Sequence, residues 1–150
     1  MVSVLDSLGY QARLKVVADE NAYFTDVFDS RTRAQIGYVS WGLDAASAPD
    51  FLRELYSCAA FVRGSPAANS NLSGFCDRSI DAQMARAAVV QTQDQPAGAV
   101  LWQQVERSLL AQAPVVPTYV PADVVFVSKR VGNYQHNPQA GVLLDQLWVK

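Results

Sequence analysis

Ala34-Gln35-Ile36-Gly37-Tyr38-Val39-Ser40-Trp41, running into Gly42-Leu43-Asp44-Ala45-Ala46 and then Ser47-Ala48-Pro49-Asp50, is the stretch on which the fold reading turns. Ala34 to Trp41 reads as a largely buried strand whose two faces are Gln35, Gly37, Val39, Trp41 and Ile36, Tyr38, Ser40. The small, polar texture that follows reads as a loop at the carboxyl end of that strand, where open α/β sheets place their ligands. Ser47 with Asp50 three residues later has the spacing of a capping box, and Pro49 suits a first helical turn. Phe51, Leu52, Leu55 and Tyr56 then share one apolar face, so a short helix is predicted to end near Cys58. Strand, ligand-side loop and helix in that order are the repeating unit of an α/β protein.

Upstream, Arg13-Leu14-Lys15-Val16-Val17 alternates polar with apolar after the helix-ending Leu8-Gly9-Tyr10, which predicts a helix stub, a turn and the first strand of a parallel sheet. Asn21 is placed to cap a short helix in which Phe24, Val27 and Phe28 fall at helical spacing, closed by Asp29-Ser30 with Arg31 and Arg33. Downstream, Asp77 is a good N-cap for a helix with Ile80, Met84, Ala87 and Ala88 on one stripe. A longer helix begins around Asp94 to Pro96, carries Ala97, Leu101, Val105 and Leu109 at successive fours, and must stop before Pro114. From Val115 the helical period is gone. Val115 to Val120, Val124 to Val127 and Leu147 to Val149 are β-rich, with Gly132-Asn133 and Asn137-Pro138 as turn punctuation. Tyr10, Tyr23 and Trp102 read as core or interface aromatics.

The bulk properties narrow the function classes. A chain of 150 residues, half of them hydrophobic, is long enough for one domain with a real core. Twelve Lys+Arg against fourteen Asp+Glu leave a formal charge of -2 with no basic stripe, which argues against a nucleic-acid partner. Pro114, Pro117 and Pro121 interrupt the longest apolar run, far short of the roughly 20 apolar residues of a membrane span. Met1 to Asp6 shows no basic region followed by an apolar core, so the expectation is a protein kept inside or a fragment. Catalysis has no evident carrier: no nucleophile elbow, P-loop or dinucleotide fingerprint is present. His136, the single histidine, lies in a turn-like Gln135-His136-Asn137-Pro138, which suits neither a triad nor a metal site. No metal or cofactor is expected, and the chain reads as a non-enzyme.

The two cysteines, Cys58 and Cys76, lack the close spacing of metal or redox motifs. Between them runs Gly64-Ser65-Pro66-Ala67-Ala68-Asn69-Ser70-Asn71, a loop that a disulfide would stabilise by about 3 kcal/mol through chain entropy. Two unpaired buried thiols are the alternative.

Several motifs in order carry a resemblance. Ser40-Trp41-Gly42-Leu43-Asp44 with Pro49 and Phe51-Leu52 is followed by Leu55-Tyr56-Ser57-Cys58, Asn71-Leu72-Ser73-Gly74-Phe75-Cys76 and Ile80-Asp81. Further on come Leu101-Trp102 and Glu106, Ala113-Pro114-Val115-Val116-Pro117, Val131-Gly132-Asn133-Tyr134 and Gln146-Leu147-Trp148-Val149. Over nearly its whole length the chain resembles the later part of solute-binding proteins of family 5, the peptide-binding receptors of ABC importers. The resemblance implies an α/β fold forming part of the second lobe of a periplasmic-binding-protein-like clamshell, with a C-terminal β-rich return segment. Residues 1–116 would belong to the second lobe, and residues 117–150 would cross a hinge to complete the first. It implies an extracytoplasmic receptor, periplasmic or a cell-surface lipoprotein, that delivers peptides or similar small solutes to an importer permease.

By the same resemblance Asp44 would pair with the α-ammonium of a bound peptide and Trp41 would wall the cleft. Gly42 would keep the loop compact enough for backbone groups to face the ligand, and Ser40 and Leu43 would touch the ligand or, as the competing reading, serve packing and turn formation. From the residues alone, Trp41 filling the core and Asp44 turning the loop is the competing reading. The run Ala45-Ala46-Ser47-Ala48 is smaller and less polar than in many peptide binders, which leaves ligand size open. A fragment of this kind would expose strand edges, so association of two copies along them is expected, and with half the cleft gone peptide binding should be weak. Two other classes stand beside the receptor: a thiol-disulfide or hydrolytic enzyme, and a stand-alone interaction module.

Overall fold

The computed structural model describes residues 1–42, 45, 47–122, 124–137 and 140–150. Helices dominate, in the order α1 (Val2–Ser7), α2 (Glu20–Phe28), α3 (Ala48–Tyr56), α4 (Arg78–Gln93) and α5 (Gln95–Gln112). Single 3₁₀ turns occupy Ser30–Thr32, Cys58–Ala60 and Leu144–Gln146. The strands are short: β1 (Val131–Gly132) pairs antiparallel with β4 (Trp148–Val149), and β2 (His136–Asn137) with β3 (Gly141–Val142).

The centre of the molecule is the α4–α5 hairpin with α3 laid against it. Asp77 caps α4 as its sequence predicts, its carboxylate accepting from the backbone N–H groups of Ser79 at 2.8 Å and Ile80 at 3.4 Å. Ile80, Met84 and Ala87 are the buried stripe of α4. Asp94 makes the connection in one residue. Its N–H closes α4 on the carbonyl of Val90, while its side chain opens α5 by accepting from Ala97 N–H at 3.0 Å. Pro96 lies in the first turn of α5, and the helix ends at Gln112, before Pro114, with Ala113 in the left-handed region.

The buried stripe of α5 is Gly98, Trp102, Val105 and Leu109, one position round from the predicted Ala97 and Leu101 at its start. Gly98 sets that rotation. A Cβ on it would lie 2.5 Å from Gln91 Cα, so only glycine lets α5 approach the last turn of α4 this closely. Trp102 donates from its indole to Gln91 Oε1 at 2.7 Å, which satisfies the polar atom of an otherwise apolar core side chain. Met84, Val105 and Leu109 are fully buried and each contributes about 1.5–3 kcal/mol by leaving water.

α3 has the predicted apolar face, with Leu55 and Tyr56 buried and Phe51 and Leu52 packed on the core. Burial raises the Tyr56 phenol above its ordinary value of 10.0. The capping box does not form. The Ser47 hydroxyl makes no cap bond, its N–H is taken by the Ala45 carbonyl, and Asp50 reaches past it to accept from Ala45 N–H at 2.6 Å. α2 starts earlier than Asn21 suggests, because Asp19 is the cap, accepting from Ala22 N–H at 2.7 Å.

The parallel-sheet expectation is corrected. Among the described residues, neither 13–17 nor 34–41 nor 115–127 is a strand, and every strand pair is antiparallel. The reason is a missing partner: a strand exists only where a second chain segment takes its N–H and C=O groups. For Tyr38 a phenol takes both. The Tyr23 hydroxyl donates to the Tyr38 carbonyl at 2.6 Å and accepts from Tyr38 N–H at 2.8 Å. The result is a mixed fold of packed helices with two small antiparallel ribbons. The β1–β4 ribbon closes over glycine, since Trp148 lies where a Gly132 side chain would be. Asn133, in the predicted turn, adopts a left-handed φ of 55°.

Candidate functional site

The loop between Trp41 and α3 joins two environments. Trp41 is half-buried, packed against the core cluster, with its ring centroid 6.4 Å from that of Phe28 at the end of α2. It continues an aromatic row in which Tyr23 meets Phe24 at 5.7 Å and Phe24 meets Phe28 at 6.2 Å. The sequence offered a cleft wall or a core filler. Trp41 takes an intermediate position: one part of the ring seals the α2 side of the core, and the rest stays open to solvent.

Ser40 and Gly42 flank it on the surface. A Cβ at Gly42 would meet nothing within 4 Å. Leu43 and Asp44 lie outside the described residues, as does Pro138 of the Asn137-Pro138 turn.

Past the loop, the chain enters an open concavity of roughly 500 Å³ on the polar side of α3. Ser47, Asp50, Arg53, Glu54 and Ser57 line it together with the small side chains of Ala59 and Ala60. The geometry follows from helical spacing: positions 50, 53, 54 and 57 face one way because the apolar set 51, 52, 55 and 56 faces the other. Asp50 has its carboxylate on the Ala45 N–H, which ties that residue of the loop to the first turn of α3. Arg53 and Glu54 are exposed, and their side chains make no hydrogen bond or ion pair with each other or with any described residue. A mixed-charge concavity of this kind suits a small ligand carrying both an ammonium and a carboxylate. The reading from sequence missed Arg53 and Glu54, although the amphipathic period of α3 already places them on the solvent face.

A second concavity, of roughly 180 Å³, lies where Asp29, Thr32 and Arg33 meet Phe61 and Ser73. Here Arg31 donates to Asp29 through Nε and Nη2, the latter at 2.6 Å, and those bonds hold the Asp29 carboxyl below its ordinary value. Nearby, the Tyr38 and Tyr119 hydroxyls share a hydrogen bond of 2.8 Å, which raises the Tyr38 phenol.

Cys58 and Cys76 are bonded, and no cysteine among the described residues is free. The loop they close is ordered by two buried asparagines whose role the sequence did not announce. Asn69 donates to the Phe28 carbonyl at 3.0 Å and accepts from Val62 N–H at 3.2 Å, which docks α2 onto the loop. Asn71 bridges the backbones beside the two cysteines. In sequence such residues read as turn formers, because nothing local distinguishes an asparagine that satisfies buried carbonyls from one that faces water.

His136 is exposed in β2, and among the described residues no group of three His, Cys, Asp or Glu side chains could hold a metal ion. No helix among them is long and apolar enough to cross a membrane. Comparison with known proteins finds no family model, no curated protein and no solved structure that matches the chain.

Proposed function

We propose that the chain is part of the second lobe of an extracytoplasmic solute-binding protein of the peptide-binding type, which holds a peptide or similar small solute for an ABC importer. In this reading Ser40, Trp41, Gly42, Leu43 and Asp44 form the ligand-side loop, and Asp44 takes the ammonium of the ligand through a charge-assisted hydrogen bond. The observation that supports it best is the position of Trp41, anchored on Phe28 and the core yet partly open to solvent beside a loop that leads into a polar concavity. The Cys58–Cys76 bond fits an oxidising compartment, since disulfides persist outside the cytosol and are rare within it.

The test is a ¹⁵N-correlation titration of the chain with an unmodified tripeptide and with the same peptide N-acetylated. The unmodified peptide at millimolar concentration should shift resonances of residues 40–50, the acetylated one should not, and Asp44→Asn should abolish the response. Equal responses to both peptides, or none in that loop, would overturn the reading.

A second reading, a stand-alone interaction module derived from the same family, draws on the exposed apolar run from Val116 to Phe126. It requires cooperative thermal unfolding of the isolated chain that is independent of concentration, and no response to the peptide.

A further inference from the structure

The sulfur–sulfur bond joins cysteines 18 positions apart whose Cα atoms are separated by 4.4 Å. Inside the loop it closes, Asn71 is 0% exposed, and its Nδ2 donates to the carbonyl of Ser57 at 3.0 Å and to that of Phe75 at 2.7 Å. Ser57 and Phe75 are the residues immediately before Cys58 and Cys76. The rest of Asn71 repeats the pattern. Its backbone N–H donates to the Ala60 carbonyl at 3.3 Å, its carbonyl accepts from Gly74 N–H at 3.3 Å, and its Oδ1 accepts from the Ser73 hydroxyl at 3.0 Å. Cys58 is held once more from α4, where its N–H points at both carboxylate oxygens of Asp81, 3.2 and 3.3 Å away. None of these contacts involves sulfur.

We propose that Asn71 is a positioning residue for oxidation of the pair: its amide holds the two cysteine backbones together in the reduced chain, so that the disulfide closes a ring already formed by hydrogen bonds. Asn71-Leu72-Ser73 also spells a glycosylation acceptor, but a fully buried amide with both ends engaged is closed to that chemistry in the folded chain.

With glutathione disulfide as the oxidant, the order of events follows from exposure, since Cys76 is exposed and Cys58 only half so. The Cys76 thiolate attacks one glutathione sulfur, forming a protein–glutathione disulfide and expelling one glutathione thiolate. The Cys58 thiolate then attacks the Cys76 sulfur, forming the protein disulfide and expelling the second. Two electrons pass from the protein thiols to the glutathione disulfide, and their two protons end on the two glutathione thiols. Preorganisation by Asn71 acts on the second step, which is intramolecular and depends on how often the thiols meet.

The experiment equilibrates the full chain in glutathione buffers and reads the oxidised fraction by alkylation and mass, which gives the effective concentration of the thiol pair. Asn71→Asp keeps the shape of the side chain but has no donor for either carbonyl, and should lower that concentration by about tenfold to a hundredfold. Asn69→Ala is the control. It sits buried in the same loop but bonds to Phe28 and Val62, so it should lower the thermal midpoint while leaving the effective concentration within about threefold. Equal losses in the two variants would reduce Asn71 to general loop packing and overturn the proposal.

The reduced wild-type chain supplies a reading that needs no substitution: the Asn71 side-chain NH₂ should remain protected from hydrogen exchange. Free exchange there would show that the clamp depends on the covalent bond, and would equally overturn the proposal. Both readings are independent of any ligand, so they stand whether or not residues 40–44 bind a peptide.

Discussion

Two regions of this molecule are made of similar residues and behave in opposite ways. In the helical centre, Val105 and Leu109 are each 1% exposed; in the run after α5, Val120, Val124 and Phe126 are 93, 97 and 94% exposed. Hydrophobicity does not separate them. The central helices satisfy their own backbone and need only a neighbouring face to cover one stripe, which the α4–α5 hairpin supplies from adjacent sequence. The β-rich flanks need a partner for every N–H and C=O, and among the described residues that partner is absent for 115–127 and 13–17. Trp41, at the end of segment 34–41, touches the centre through the core cluster and α2 through Phe28.

The comparison is broken most directly by truncating one side chain in each region. Leu109→Ala should destabilise the chain by about 2–5 kcal/mol, through lost transfer energy and the cavity left in the core cluster. Val124→Ala should change stability by no more than about 0.5 kcal/mol. Chemical denaturation followed by circular dichroism measures both. A large loss for Val124→Ala would mean that this segment is covered in solution, by a second copy or another chain, and repeating the measurement over a range of protein concentrations would distinguish those cases.

What could be read in the sequence divides along the same line. Caps and stops are local chemistry: Asp77, Asp94, Pro96 and the break before Pro114 lie where sequence places them, and α4 and α5 follow. The disulfide was one of two readings and is formed. Strand identity is not local. Ala34 to Trp41 has the composition of a buried strand, yet Ile36 and Tyr38 are exposed and the Tyr38 backbone is held by a phenol from α2, a contact that no period in the sequence encodes. The site shows the same split. Trp41 was legible as a large aromatic at a turning point and Gly42 as a loop residue, whereas Ser40, read as part of a largely buried strand, is exposed. The concavity that gathers Arg53 and Glu54 with Ala59 and Ala60 depends on how the chain turns after α3, which the period of that helix does not encode.

A gentler contrast is available in two glycines. Gly98→Ala pushes a methyl into the Gln91 backbone, which has no rotamer to yield, and should cost about 1–3 kcal/mol by forcing α5 away from α4. Gly42→Ala meets open space and should leave stability within about 0.5 kcal/mol. Thermal melts of the two variants test whether close packing is confined to the centre. A Gly42 variant as damaged as the Gly98 variant would show that the loop is pressed against something in solution.

The smallest effect concerns the cap that starts the central hairpin. Ser79 donates to the Asp77 carboxylate through both hydroxyl and backbone, and with Ile80 N–H these bonds hold the carboxyl below its ordinary value of 3.8. A folded value lower than the unfolded one stabilises the native state above the unfolded value, and that contribution fades as pH falls through the depressed folded value. Asp77→Asn keeps a capping oxygen but does not titrate. The difference in thermal midpoint between wild type and Asp77→Asn should therefore be constant from neutral pH down to about pH 4 and shrink below it. Taking the difference cancels Asp29, whose carboxyl is also lowered, by Arg31, but which lies in the flank and is unchanged by the substitution. A difference that is flat through the acid range would mean that the charge on Asp77 adds nothing to the cap. The start of α4 would then be held by hydrogen bonding to an uncharged cap and by packing of Ile80, with no contribution from the carboxylate charge.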